Sequence, residues 1–139
     1  MSDHAKPGVI GAWIAIAVAI AANAAGYLFN LWDTPIWFDE VVHGYTLFAL
    51  TFLLAVTLYR FLSEQPGHGL LIVLAIVALG LAIGALWEVY EWGRDQMTGR
   101  NTILGKYDTI IDLVMDTLGS LIAALLSRYV ARKEAHAES

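Results

Sequence analysis

The chain has 139 residues, of which 58% are hydrophobic and only 15% are charged. A soluble domain has about 45–50% apolar and about 25% charged residues, so this composition disfavours a water-soluble protein. The net charge of −5 has the wrong sign for a nucleic-acid surface, so no nucleic-acid partner is expected. The absence of cysteine excludes disulfides, thiol catalysis and Cys-ligated metal sites. The composition therefore indicates a small integral membrane protein.

Four apolar segments are long enough to cross a bilayer, which requires about 20 residues for about 30 Å of hydrocarbon. They cover approximately residues 9–32, 36–62, 69–92 and 107–130. Two pairs of small residues four positions apart, Gly80 with Gly84 and Gly119 with Ala123, indicate close helix packing in the last two segments. We predict an all-α fold, an integral membrane four-helix bundle, with residues 1–139 forming a single transmembrane domain in contact with the lipid bilayer.

The basic residues indicate the orientation of these segments. With an even number of spans, both termini lie on one side of the membrane. The side of the termini carries five basic residues, which are Lys6, Arg60, Arg128, Arg132 and Lys133. The opposite side carries three, which are Arg94, Arg100 and Lys106. Because cytoplasmic loops are enriched in Lys and Arg, this distribution favours cytoplasmic termini.

Acidic side chains concentrate toward the non-cytoplasmic ends of the last three segments. In chain order these segments contribute Asp39, Glu40 and His43, then Glu88 and Glu91, then Asp108, Asp112 and Asp116. Spacings of three and four residues place each group on one helix face, so three short stripes should meet at one membrane depth. Asp116 lies about 12 Å along the helix from Asp108, which places it well inside the hydrocarbon layer.

Two interpretations of these acids differ according to their depth. Residues near helix N-termini, such as Asp39 and Asp108, are stabilised there by free amide groups and the helix dipole, which is a purely structural role. Glu88 ends a helix, where negative charge is disfavoured, and Asp112 and Asp116 lie beyond the first turn. A charge at mid-bilayer costs at least ~2.5–3.5 kcal/mol, so such residues normally face a partner or a water-filled cavity.

The negative charge of this cluster requires compensation, because carboxylates so close together cannot all be ionised unless a cation neutralises them. Oxygen ligands with one imidazole suit a divalent ion such as Mn²⁺, Fe²⁺, Zn²⁺ or Ca²⁺. Glu40 and His43 have the Glu-x-x-His spacing of di-iron bundles, but a symmetric di-iron site needs a second such motif. We predict a divalent metal, either a structural clamp or an open Lewis acid, with ligands from Asp39, Glu40, His43, Glu88, Glu91, Asp108, Asp112 and Asp116.

Three ordered motifs carry a resemblance to a known family. They are Phe38-Asp39-Glu40-Val41-Val42-His43, Trp87-Glu88-Val89-Tyr90-Glu91-Trp92, and Tyr107-Asp108 followed by Asp112, Asp116 and Gly119. Over roughly residues 37 to 125 the chain resembles the YjdF-like inner-membrane proteins, and more loosely it is similar to VanZ-like membrane proteins. The resemblance implies an α-helical, multi-pass protein of the bacterial inner membrane, but it implies no settled activity.

Two other functions are left open by the sequence. A small chain without a soluble domain is also typical of an accessory subunit, whose carboxylates would pair with basic residues of other membrane protein subunits, or of a homo-oligomer. Movement of protons or cations along the acidic face is a further alternative, although no acids continue the path to the cytoplasmic side. A nucleophilic hydrolase is not indicated, because the chain lacks cysteine and a G-x-S-x-G motif, and Ser120 has no neighbouring histidine.

Overall fold

The computed structural model describes residues 7–33, 37–62, 69–100 and 102–137, and within these ranges the structure is helical with no strand. Its four long helices are α1 (Pro7–Leu28), α2 (Trp37–Leu62), α3 (Gly69–Thr98) and α4 (Lys106–Ala137). Each contains an apolar stretch long enough to span a membrane. The predicted all-α fold with four such helices is confirmed, whereas the single domain over residues 1–139 stays a prediction.

The helix ends differ from the ends of the apolar segments. The first segment is expected to continue to residue 32, but α1 ends at Leu28, and Asn30 has a φ of 53° that does not continue a right-handed helix. In contrast, α3 continues six residues beyond its apolar segment, to Thr98. There Gly99, with a φ of 68°, donates its N–H to the carbonyl of Asp95 at 2.9 Å, a glycine-terminated helix end. Apolar length therefore predicts the presence and approximate position of the helices better than the residue at which their hydrogen bonding stops.

Some residues used for the orientation lie outside the described part of the chain. Lys6 precedes it, and nothing is described of the side chain of Arg60. The other basic residues of that comparison belong to helices α3 and α4 or to the connection between them. The orientation with cytoplasmic termini consequently stays a prediction.

Helix α2 occupies the centre of the bundle, where it packs against α1, α3 and α4 and makes its most extensive contact with α4. The buried apolar side chains are mostly small, with Ala12, Ala49, Ala55 and Ala123 all fully buried. Many large apolar side chains are exposed, as Ile122 is with 58% of its surface accessible, although some, such as Ile76 and Phe52, are buried in the core. Such a distribution suits a bilayer, because small residues let helices approach closely while the large ones contact lipid.

Two glycines mark the closest approach of α2 and α4. A Cβ atom on Gly119 would overlap the carbonyl oxygen of Gly44, and it would lie 3.1 Å from the backbone nitrogen of Phe48. A Cβ atom on Gly44 would in turn lie 3.1 Å from the carbonyl oxygen of Met115. The two backbones are therefore in direct contact at this crossing, which fixes the register between α2 and α4.

The glycine pair of α3 forms a similar contact with α4. A Cβ atom on Gly80 would overlap the side chain of Ser120, and one on Gly84 would overlap the carboxylate of Asp116. The predicted close packing at Gly80, Gly84 and Gly119 is thus confirmed. Because Gly84 has no side chain, α3 can lie directly over a carboxylate that would otherwise have no room.

We expect Gly119→Ala to lower the free energy of unfolding by about 1–3 kcal/mol, because overpacking against a backbone atom cannot be relieved by rotating a side chain. The thermal midpoint of the protein in detergent micelles, followed by circular dichroism, measures this effect. Gly93→Ala is the matched control, since Gly93 lies within α3 with nothing near its would-be Cβ atom and alanine is the better helix former. Equal midpoints for the two variants would contradict the prediction.

Candidate metal centre

The acidic stripes of α2, α3 and α4 meet around the imidazole of His43. This side chain is only 9% exposed. Its Nε2 atom lies 3.8 Å from Oδ1 of Asp39, one turn earlier on α2. Its Nδ1 atom lies 3.6 Å from Oδ1 of Asp116 on α4. The imidazole therefore has a carboxylate on each side, one from its own helix and one from the neighbouring helix.

Two groups of three side chains have the geometry to hold a metal ion, each with ligand atoms within 4.8 Å of one another. The first group joins Asp39 and His43 of α2 to Asp112 of α4. The second joins His43 to Glu88 and Glu91 of α3. Because His43 belongs to both, four carboxylates from three helices surround one nitrogen ligand. Carboxylate and imidazole donors in this mixture suit several divalent metals, including zinc, iron and manganese.

Several of these side chains are deeply buried with polar atoms that have no hydrogen-bond partner among the described residues. These atoms are Nδ1 of His43, Oε1 of Glu88 and both carboxylate oxygens of Asp116. Glu88 is 6% exposed and Asp116 is fully buried. A buried carboxylate without a partner carries a desolvation penalty that is much reduced by a bound cation or a proton. These buried atoms without a partner favour a bound cation or a proton in the cluster, on a ground separate from its acidic composition.

Three of the predicted ligands are not part of either group. Glu40 is half-buried on α2, one residue and so about 100° around the helix from Asp39. Asp108 accepts a hydrogen bond from the N–H of Leu104 at 2.9 Å, which is the capping role that its position near a helix start allows. Asp116 lies on the Nδ1 side of the imidazole. That these three bind a metal directly stays a prediction.

Asp95 holds the connection between α3 and α4, and the sequence alone does not single out this residue. Oδ2 of Asp95 accepts the backbone N–H groups of Thr102 and Ile103 at 2.6 and 3.0 Å, and Oδ1 accepts the Thr102 hydroxyl at 2.7 Å. Arg94 donates to the same hydroxyl at 2.7 Å, and its guanidinium lies 3.8 Å from Oε1 of Glu91. Arg94 of α3 is thus a cationic side chain at the edge of the cluster, and it is bonded to the loop through Thr102. Two of the three donors to Asp95 are backbone groups, which leave no signal in the sequence.

We expect Asp95→Ala to release this loop, because the substitution removes three hydrogen-bond acceptances at once. Hydrogen–deuterium exchange of the protein in detergent should then show measurably faster exchange of the Thr102 and Ile103 amides. Gln96→Ala, at the exposed neighbouring position, should leave both amides as slow as in the unsubstituted protein. Unchanged exchange in Asp95→Ala would mean that other contacts hold the loop.

Comparison with known proteins places the chain in a family without assigning an activity. The family described as "Predicted membrane protein (DUF2238)" matches residues 6–133. YjdF is in this family, so the resemblance found in the sequence is confirmed at the level of a membrane protein family, whereas similarity to VanZ-like proteins is not shown. No curated protein and no solved structure matches the chain.

Proposed function

The chain belongs to the DUF2238 family of predicted membrane proteins, and we propose that it binds a divalent cation at His43, within its bundle of membrane-spanning helices. One observation carries this proposal: a buried imidazole is shared by two groups of potential ligands that together come from α2, α3 and α4. We further propose that the protein lies in the bacterial inner membrane with cytoplasmic termini, so that the cation site is near the non-cytoplasmic face.

The distances within the two groups support binding without rearrangement of the helices. Ligand atoms about 2.0–2.2 Å from a tetrahedral metal ion lie about 3.3–3.6 Å from one another. The atoms in each group lie within 4.8 Å, so a closure of about 1 Å by side-chain rotation would bring them to these distances. His43 supplies the nitrogen ligand, and the carboxylates come from Asp39, Asp112, Glu88 and Glu91.

The balance of charge also supports a cation. The two groups that share His43 contain four carboxylates, Asp116 lies beside the same imidazole, and Arg94 forms an ion pair with one of the four, Glu91, at 3.8 Å. A divalent ion would neutralise two further negative charges where burial makes them most unfavourable. Protonation of the carboxylates is the competing way to remove this charge, and it predicts that the purified protein holds no metal.

A structural clamp is the role that the helix positions favour. Each group joins α2 to one neighbouring helix, α4 in the first group and α3 in the second, so an ion bound in either group would link two helices at one end of the bundle. In lipid, apolar packing gives little drive for helix association, so such a link would contribute directly to the stability of the bundle. Lewis-acid chemistry would require in addition that a coordination position stays open to a substrate or water.

We expect the purified protein to retain a stoichiometric divalent ion, and the double variant Asp112→Asn, Glu88→Gln to lose it, because one ligand of each group is then neutral. Elemental analysis of both preparations measures the metal content. The control is Glu134→Gln, which removes a carboxylate charge near the other end of α4, where Glu134 accepts the N–H of Gly8, and it should retain the metal. Full retention by the double variant would exclude the assigned ligands.

We also expect the ion to stabilise the fold. Binding to the folded state alone adds about 2.7 kcal/mol when the free ion is at 100 times its Kd, so the thermal midpoint should rise with added metal and fall with a chelator. His43→Gln should abolish this response, because it removes the ligand that both groups share. A midpoint that is insensitive to metal and chelator in the unsubstituted protein would contradict the clamp, even if metal is found.

A further inference from the structure

The two nitrogen atoms of His43 face different surroundings. Nε2 lies 3.8 Å from Oδ1 of Asp39, a member of one candidate ligand group. Nδ1 lies 3.6 Å from Oδ1 of Asp116, which belongs to neither group. Because a neutral imidazole carries its proton on one nitrogen and offers the other as a ligand, the partner of Nδ1 decides whether Nε2 is free to bind an ion.

Asp116 is well placed to be that partner. Its side chain is fully buried, and neither carboxylate oxygen has a hydrogen-bond partner within the described ranges. The neighbouring hydroxyl of Ser120 does not serve it, because this group donates to the backbone carbonyl of Asp116 at 2.8 Å. Gly84 covers the carboxylate from α3 with backbone alone. A closure of about 0.6 Å would bring Nδ1 and Oδ1 to an ordinary hydrogen-bond distance.

We propose that Asp116 is a positioning residue for the cation site, whose carboxylate accepts the Nδ1–H of His43 and so directs the unprotonated Nε2 at the ion. This inference rests on the proposed cation site. It also changes the role that the sequence predicts for Asp116, from a ligand to the support of a ligand. Metal-binding histidines almost always donate their second ring N–H to a carboxylate, a carbonyl or water, which fixes the tautomer and the ring orientation.

The test uses zinc as the probe and the full chain in detergent micelles. The sequence has four histidines, so a parent chain with His4→Gln, His68→Gln and His136→Gln keeps His43 as its single imidazole. In the zinc-loaded parent labelled with ¹⁵N-histidine, NMR should show zinc on Nε2 and a proton on Nδ1. This result does not depend on any change at residue 116, so it decides the tautomer even where a variant folds poorly.

Zinc affinity, measured by competition with a chromophoric chelator, provides the second result. Asp116→Asn should bind zinc about 10- to 100-fold more weakly. Its His43 spectrum should include a form with the proton on Nε2, because an amide can donate to Nδ1 as well as accept from it. Glu134→Gln removes one charge from the same helix, near its other end, where Glu134 accepts the N–H of Gly8 at 3.0 Å. It should leave both the affinity and the spectrum unchanged.

The outcomes separate the two proposals. Zinc on Nδ1 in the parent, or equal weakening by Asp116→Asn and Glu134→Gln, would overturn the positioning role while leaving the cation site in place. A parent chain that binds no zinc, manganese, iron or calcium would overturn the cation site, and with it the positioning role. Zinc on Nε2 together with a loss of affinity confined to Asp116→Asn is the result expected from the structure.

Discussion

A fully buried carboxylate beside a buried imidazole, within a bundle whose outer surface is apolar, is the constraint that organises this structure. Asp116 and His43 come from different helices, so their proximity depends on the crossing of α2 and α4. That crossing is set by Gly44 and Gly119, where the two backbones touch. Charges are unfavourable at membrane depth unless they are compensated. The arrangement of helices that allows the close glycine contacts must therefore also bring the polar groups of the cluster together.

Much of the fold follows from the sequence, because apolar length and helical spacing are local properties. The four long helices and the small-residue contacts of α3 and α4 follow from such patterns. The end of α1 does not, because the left-handed conformation of Asn30 belongs to a single residue between two apolar stretches. The role of Asp95 could not be predicted either, since its acceptances involve backbone donors seven and eight residues away.

The candidate metal centre, too, can be predicted from the sequence only in part. Helical spacing brings the carboxylates of α2, α3 and α4 to one region, but it does not determine how each helix is rotated about its axis. That rotation places Asp112 in a ligand group and brings Asp116 to the Nδ1 atom of the imidazole. It also lets Asp108 accept the N–H of Leu104 at the start of its own helix. The accessory-subunit, homo-oligomer and ion-movement hypotheses stay predictions, because the described residues belong to a single chain.

The length of α3 has a consequence for where in the membrane an ion would lie. This helix has 30 residues, or about 45 Å at 1.5 Å per residue, which exceeds a hydrocarbon thickness of about 30 Å. Glu88 lies 19 residues after Gly69, or about 28 Å along the axis, close to that thickness. Glu88 therefore lies toward one end of the apolar part of α3, so an ion held in the proposed site would be nearer to one membrane face than to the other.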